Sequence, residues 1–343
     1  MSAPHASDPA QLGARLAAFL AERSGDPGAR VEGLRRMAGG ASRELWSLDA
    51  RVRGEQRALV LRRDPPGRVG DSSDRGLEAA LLRAAAEAGV PVPRVHWSCG
   101  DPALLGSAFF LMDRVEGETI PRRLLRDPEY AGARRVMTGQ LGEILARIHA
   151  LDPERPELAG LGAAGQGGAS AADEVQRIAA GIRALAAEPH PVLELAERWL
   201  LERAPGSRRR SLVHGDYRIG NVIFGPEGVR AILDWELAHL GDPLEDLGWL
   251  CTKTWRFGSE LAAGGIGTRE ELVGAYEKAG GAPVDPQALA WWEACGSFKV
   301  ALVWISQSRV FLDGRVPSVE LASLGRRTAE PEAELLRILE KAP

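Results

Sequence analysis

Three oxygen-bearing side chains of this 343-residue chain have the types and spacing that phosphoryl transfer requires. Asp216 lies in the segment HGDYRIGN, Asn221 follows five residues later, and Asp234 follows the next two apolar runs. The turn GPEG at 225–228 separates these runs, which predicts a β-hairpin. Because the ends of a hairpin lie side by side, we expect Asn221 and Asp234 to meet close to Asp216. Such hard oxygen ligands suit Mg²⁺, and this order of Asp, Asn and Asp is typical of phosphoryl transfer.

The longer pattern around these residues makes the signal specific. A lone H-x-D-x-x-x-x-N motif arises by chance in many sequences, but here a hairpin of suitable length and the segment LDWE follow it. His214, Gly215 and Gly220 also suit a tight loop. The competing interpretation, a surface hairpin with incidental acidic residues, is therefore disfavoured.

The elements that must position this hairpin divide the chain into a β-rich first third and a helical remainder. Short apolar runs predict strands at 34–37, 45–52, 58–63 and 109–112, and a helix at 76–87. Helical spacing predicts helices around 141–148, 192–200, 291–305 and 332–339. A single core rarely grows past roughly 250–300 residues. We therefore predict two lobes, at 1–113 and 114–343.

Composition excludes several classes of protein. The chain has 43 basic and 47 acidic residues, a net charge of −4, so no nucleic-acid or membrane partner is expected. Cys99, Cys251 and Cys295 form no C-x-x-C pair, which disfavours a zinc or redox motif. We find no signal-peptide or membrane-span pattern and expect a cytoplasmic protein. The first 252 residues contain no lysine, so any cation that chemistry needs there must be arginine.

Residues 211–250 resemble the catalytic core of the aminoglycoside phosphotransferase/choline kinase superfamily. Further matching stretches are GGASRELW at 39–46, LVLRRDPPG at 59–67, GVPVPRV at 89–95 and GSAFFLMDRVEG at 106–117. The pattern is most similar to phosphotransferase modules fused to, or encoded near, acyl-CoA dehydrogenases, some of which phosphorylate hydroxyacyl-CoA thioesters. The resemblance implies an α+β, bilobal protein-kinase-like fold, with a small antiparallel sheet in the N-lobe and a mainly helical C-lobe.

The resemblance also implies a role for each matched residue. Asp216 would be the catalytic aspartate, and Asn221 and Asp234 would bind magnesium. The remaining matched positions would bind ATP: the triphosphate loop Gly39, Gly40, Ala41 and Ser42, the strand cation Arg62, the helix carboxylate Glu78, and the adenine hinge with Met112, Asp113 and Val115.

Two positions depart from the family pattern. The strand that usually bears lysine carries Arg62 and Arg63. Strand alternation places Val60 and Arg62 on one face, so we choose Arg62 as the phosphate-binding cation and keep Arg63 as the alternative. Arginine binds phosphate bidentately but is wider than lysine, and a solvated strand residue is the competing interpretation of Arg62. Arg43 stands where the subgroup often has asparagine.

Several other groups are interpreted as structural. His149 ends a predicted helix and is expected to pack or cap. Asp242 and Asp246 are expected to tie the catalytic loop to the following helix. Most of the later tryptophans are expected in the core, with one or two lining a substrate pocket. The GLGAAG segment at 160–165 does not follow a strand, so we interpret it as a linker and not as a dinucleotide-binding turn.

The predicted activity is ATP-dependent transfer of the γ-phosphoryl group to a hydroxyl of a small molecule. A hydroxyacyl-CoA acceptor is suggested only by the subgroup resemblance. An aminoglycoside or amino-alcohol acceptor and a non-catalytic nucleotide-binding module remain alternatives. An aminoglycoside pocket should be acidic, whereas residues 252–343 do not look strongly acidic, since they also include Arg256, Arg269, Lys299, Arg309 and Arg315. The choice between ATP and GTP and the oligomeric state stay open.

Overall fold

The described part of the chain divides into two compact units, each defined by contacts among its own residues. The computed structural model describes residues 8–37, 44–64, 75–162, 170–206 and 210–341. The first unit comprises the described parts of Met1–Glu116, Pro156–Gly160 and Ala231–Glu236. The second unit comprises those of Gly117–Arg155, Leu161–Arg230 and Leu237–Pro343. The predicted boundary between two lobes at residues 113 and 114 stays a prediction.

A five-stranded antiparallel sheet is the framework of the first unit. Its strands are β1 (Arg30–Arg36), β2 (Glu44–Val52), β3 (Glu55–Arg63), β4 (Val95–Cys99) and β5 (Phe109–Asp113), in the order β1-β2-β3-β5-β4. Arg53 and Gly54 connect β2 to β3 with φ angles of 52° and 80°, as a two-residue hairpin turn requires. The helices are α1 (Pro9–Ser24), α2 (Arg75–Glu87) and the short α3 (Pro102–Leu105). Leu16 and Phe19 of α1 join Trp46 and Leu48 in a buried core.

Helices dominate the second unit. They are α4 (Pro121–Arg126), α5 (Ala131–His149), α6 (Ala171–Leu185), α7 (Pro191–Glu202), α8 (Leu244–Cys251), α9 (Arg269–Lys278), α10 (Pro286–Leu312), α11 (Val319–Arg327) and α12 (Ala329–Lys341). By length and composition α10 is apolar enough to cross a membrane, but 78% of its most apolar stretch is buried within the chain, as in a core helix. The predicted α+β class is confirmed.

Two small sheets frame the HGD segment. β6 (Ser211–Val213) pairs with β9 (His239–Gly241), and β7 (Val222–Gly225) pairs with β8 (Gly228–Ile232). The β7–β8 pair is the predicted hairpin. Glu118 exchanges two backbone hydrogen bonds of 2.9 Å with Phe224 and so extends this ladder. The loop predicted near residue 160 contains a 3-10 helix at Pro156–Gly162.

Candidate active site

The backbone of the HGD segment is held by one buried carboxylate. The N–H groups of His214 and Gly215 donate to the two oxygens of Asp246 over 2.7 and 2.9 Å. Burial by itself raises the pKa of Asp246. The hydrogen bond from His149, the charge of His214 and the backbone hydrogen bond from His214 outweigh burial, so the pKa is lowered overall. Gly215 has a φ of +79°, and a Cβ there would lie 2.3 Å from the carbonyl oxygen of Leu237. Glycine is therefore required, and the structural roles expected for Asp246 and His149 are confirmed.

The carboxylate of Asp216 receives three side-chain hydrogen bonds. Its Oδ1 accepts from Nε of Arg218 at 3.0 Å and from Nε1 of Trp249 at 2.8 Å. Its Oδ2 accepts from Nδ2 of Asn221 at 2.6 Å. The side chain of Asp216 is 18% exposed. The loop therefore brings Asp216 and Asn221 together and presents a fixed carboxylate that solvent still reaches.

Asn221 offers an amide oxygen of the kind that a divalent cation binds. Its amide nitrogen donates both to Oδ2 of Asp216 and, over 2.9 Å, to the carbonyl oxygen of Asp216. Since the nitrogen is used in this way, Oδ1 of Asn221 is the side-chain atom left to bind a cation. Amide and carboxylate oxygens are ligands that Mg²⁺ accepts, usually together with substrate phosphates. The residue therefore fits its predicted role.

A buried arginine organises the polar cluster of the first unit. Arg62, whose side chain is 6% exposed, forms ion pairs of 2.9 Å with Glu78, Asp234 and Glu236. Burial lowers the pKa of Arg62, but the three carboxylates outweigh that effect and raise it. Arg75 also pairs with Glu78. The interpretation of Arg62 as a solvated strand residue is wrong, because the side chain is buried and forms three ion pairs.

Arg63 has different partners from its neighbour. It pairs with Glu44 at 2.7 Å and donates to the carbonyl oxygen of Leu105 at 2.8 Å, with 1% of its side chain exposed. Strand alternation separates the two arginines as expected. Of the two arginines, the geometry favours Arg62 as the cation of the polar cluster, because Arg62 contacts Glu78 and Asp234.

Asp234 has a left-handed backbone conformation, with a φ of +58°. Aspartate adopts this region more readily than most residues, and such conformations concentrate at functional sites. One of its carboxylate oxygens accepts from Arg62. Asp234 belongs to the first unit and Asn221 to the second, and their joint binding of Mg²⁺ stays a prediction. In the described part of the chain, no group of three His, Cys, Asp or Glu side chains is arranged as a metal site.

The structure describes some of the residues predicted to contact the nucleotide and not others. Met112 and Asp113 end β5, and the Asp113 amide donates to the carbonyl oxygen of Arg94 at 3.0 Å. The Asp113 amide is therefore already used within the fold, and adenine binding by Met112, Asp113 and Val115 stays a prediction. The predicted triphosphate loop, Gly39 to Ser42, and Arg43 lie outside the described residues.

Sequence reasoning missed four residues of these clusters. Each of them contacts either a predicted site residue or the residue next to one. They are Arg75, Arg218, Trp249 and Lys299. Arg218 lies between Asp216 and Asn221, so proximity alone could have identified it. Nothing in the local sequence distinguishes Trp249 from a core tryptophan.

A large cavity of about 830 Å³ lies in the second unit. Its charged lining consists of Arg122, Lys253, Arg327, Arg337, Glu330 and Glu334. Trp255 also lines it and stacks on the guanidinium of Arg218, 4.8 Å from the ring centre. Trp304 forms another part of the wall, with Arg327 stacked 4.5 Å from its ring centre. Trp255 thus connects the cavity wall to Arg218, which donates to Asp216. Two of the later tryptophans therefore line this cavity, and its role as a substrate pocket stays a prediction.

Comparison with known proteins defines the class to which this fold and this site belong. A family model described as "phosphotransferase enzyme family" matches residues 33–292. A solved structure from Ralstonia eutropha JMP134, described as an aminoglycoside phosphotransferase, is 24% identical, covers 96% of this chain and 98% of its own, and superposes with a TM-score of 0.75. A choline/ethanolamine kinase family protein from Mesorhizobium loti is 22% identical over 96% of this chain and 98% of its own, with a TM-score of 0.59. The predicted kinase-like fold is confirmed.

The chain therefore belongs to the phosphotransferase enzyme family. Among curated proteins, it is 32% identical to acyl-CoA dehydrogenase family member 10 of Mus musculus over 83% of this chain and 27% of that protein. It is 31% identical to acyl-CoA dehydrogenase family member 11 of Rattus norvegicus over 81% of this chain and 37% of that protein. The chain thus spans only about a quarter to two-fifths of the length of these relatives, and the predicted resemblance to modules of this group is confirmed.

Proposed function

We propose that this phosphotransferase moves the γ-phosphoryl group of ATP to a hydroxyl group of an anionic small molecule, a hydroxyacyl-CoA in our leading hypothesis. The observation that carries the proposal is the Asp216 carboxylate, which three donors hold at the end of the HGD loop while 18% of the side chain stays exposed. A carboxylate fixed in this way can orient a hydroxyl and accept its proton.

The reaction balances as follows. The acceptor oxygen forms a bond to the γ-phosphorus while the bond from that phosphorus to the β–γ bridging oxygen breaks, and ADP leaves. The hydroxyl proton passes to Asp216. Because phosphoryl transfer has a loose transition state, most of the rate comes from positioning and charge neutralisation and little from covalent participation of the protein. This explains why the site consists of rigidly held polar groups.

Nucleotide binding is assigned to the first unit's polar cluster and to Asn221. Arg62 is proposed to bind a phosphate oxygen, with Glu78 holding its guanidinium in place. Asn221 and Asp234 are proposed as protein ligands of Mg²⁺, which when bound neutralises charge on the β- and γ-phosphates. Val115 and the residues around Met112 are proposed to bind adenine through the backbone.

The cavity whose wall includes Trp255 supports an anionic acceptor. Its lining carries four cations and two carboxylates. Arg327 and Arg337 are paired with Glu330 and Glu334, whereas no partner is found for the exposed Arg122 within the described residues. Positive potential attracts the phosphates of a CoA thioester and repels a polycationic aminoglycoside. The similarity to acyl-CoA dehydrogenase family members points to the same class of acceptor.

The test is a side-by-side screen of ATP consumption with Mg²⁺. We would offer hydroxyacyl-CoAs, aminoglycosides, amino alcohols and sugars, and identify the phosphorylated product by mass spectrometry. We expect transfer to a hydroxyacyl-CoA, and a loss of at least about 100-fold in turnover for Asp216→Asn with little change in ATP affinity. Tight Mg-ATP binding without transfer to any acceptor would instead identify a nucleotide-binding module.

A charge reversal tests the cavity directly. Arg122→Glu should raise KM for an anionic acceptor while leaving basal ATP hydrolysis unchanged. Arg126→Glu is the matched control, because Arg126 is also exposed, at the other end of α4, but does not line the cavity. Equal effects of the two reversals would place the acceptor elsewhere, and better use of an aminoglycoside by Arg122→Glu would support the charge argument.

A further inference from the structure

We propose that Trp249 is a positioning residue for the transfer reaction: its indole N–H, together with Arg218, locks Oδ1 of Asp216 and leaves Oδ2 as the oxygen that takes the acceptor proton. This inference rests on the proposed function and assigns acceptance of the proton to one atom, Oδ2 of Asp216. Trp249 is 4% exposed, so packing alone would explain a large apolar side chain there but not the direction of its N–H group.

The two carboxylate oxygens of Asp216 differ in how much hydrogen-bonding capacity they have left. A carboxylate oxygen accepts about two hydrogen bonds along its lone-pair directions. Oδ1 of Asp216 already accepts two, from Trp249 and Arg218. Oδ2 accepts one, from Asn221. The remaining acceptor position is on Oδ2, so an incoming hydroxyl must bind there.

One face of α8 supplies both the backbone and the side-chain restraint. Asp246 and Trp249 are three residues apart, which places them on neighbouring positions of one helix face. Asp246 binds the amides of His214 and Gly215, and Trp249 binds the carboxylate of Asp216. A single helical turn therefore fixes the position of the loop and the rotation of its carboxylate.

The ring of Trp249 is itself clamped from two sides. Trp255 meets it edge-on, with ring centres 5.2 Å apart, and the ammonium of Lys299 lies 5.0 Å from its centre. Lys299 also donates to the carbonyl oxygen of Gly215 at 3.1 Å and to Glu245 at 2.9 Å. The indole therefore has little freedom to turn away from Asp216.

Two variants remove the N–H group of Trp249, and one of them also keeps the bicyclic ring. Trp249→Phe, and replacement of Trp249 by benzothienylalanine, in which sulfur replaces the N–H, should each lower kcat by about 10- to 100-fold, the scale of a mispositioned catalytic group. KM for ATP should stay within about twofold. The assay uses the full chain with Mg-ATP and a panel of hydroxyacyl-CoAs, with basal ATP hydrolysis measured in parallel.

A double-mutant cycle separates positioning from stability. If Trp249 acts through Asp216, Trp249→Phe should cause less than about a twofold further loss in an Asp216→Asn background. Trp292→Phe is the matched control, since the indole nitrogen of Trp292 is buried without a hydrogen-bond partner among the described residues. The control should change kcat by less than about twofold.

The outcomes distinguish this inference from the function on which it rests. Wild-type activity with an unchanged kcat in the benzothienylalanine protein would overturn the role of Trp249 and leave the transfer reaction standing. An equal loss in the wild-type and Asp216→Asn backgrounds would show that Trp249 is merely structural. A wild-type protein that transfers phosphate neither to a hydroxyl nor to water would overturn the proposed function itself.

Discussion

Replacement of Arg62 should reveal two separable costs, one in stability and one in nucleotide binding. Breaking a buried ion pair by removing one partner typically costs about 3–5 kcal/mol, because the other charge is left buried. Glu78, 3% exposed, is the buried partner of Arg62, but it also pairs with Arg75. Asp234 and Glu236 are 44% and 25% exposed, so solvent screening reduces their pairs to about 0–1 kcal/mol each. We therefore expect Arg62→Met to cost about 3 kcal/mol, at the low end of the range.

Arg62→Lys keeps the positive charge and isolates the nucleotide effect. One ammonium group cannot make three directed contacts, so we expect a loss of about 1 kcal/mol, mainly from the two exposed pairs. The affinity for Mg-ATP should fall by about tenfold or more, because the cation no longer lies where it is held between Glu78 and Asp234. Urea unfolding and isothermal titration calorimetry with Mg-ATP measure the two quantities on the same samples.

Arg63→Lys is the matched control. Arg63 is as buried as Arg62 but contacts Glu44 and the Leu105 carbonyl, away from Asp234. It should also lose stability, because its pair with the buried Glu44 is disturbed, and keep its affinity for Mg-ATP within about twofold. The reasoning is refuted if Arg63→Lys weakens Mg-ATP binding more than Arg62→Lys, or if Arg62→Met costs less than about 1 kcal/mol.

Three further changes have definite expected outcomes. Asp234→Asn should weaken Mg-ATP binding, and calorimetry at several Mg²⁺ concentrations should show the weakening to be smallest at high Mg²⁺. Gly215→Ala should destabilise the chain by more than about 1 kcal/mol because its new Cβ would lie 2.3 Å from a backbone oxygen, whereas Gly274→Ala, on an open helix surface, should be neutral or stabilising in the same urea unfolding assay. Burial lowers the pKa of His239, but Glu245 outweighs burial and raises the pKa above 6.5. The ion pair of His239 with Glu245 thus stabilises the fold fully below pH 6.5, and this stabilisation disappears as the pH rises through the raised pKa of His239. His239→Gln should therefore cost more stability at pH 6 than at pH 9. An equal cost at both pH values would contradict this.

The hairpin and the HGD loop could be predicted because their geometry is local. Asp216 and Asn221 are five residues apart, and the Asn221 amide reaches both the carboxylate and the carbonyl oxygen of Asp216. The GPEG turn specifies the β7–β8 reversal through its own backbone preferences. The choice of Arg62 over Arg63 follows from strand alternation, which the backbone imposes wherever a strand forms.

The sequence by itself thus determined which residue types stand at the loop, which strand carries the cation, and the family that these motifs indicate. The tertiary structure decided the partners. Arg62 contacts Asp234 and Glu236 across 172 and 174 positions, Trp249 contacts Asp216 across 33, and Lys299 reaches the Gly215 carbonyl across 84. Spacing within a loop or strand is set by covalent geometry, whereas contacts over such separations depend on how whole helices pack, and no local pattern encodes that packing.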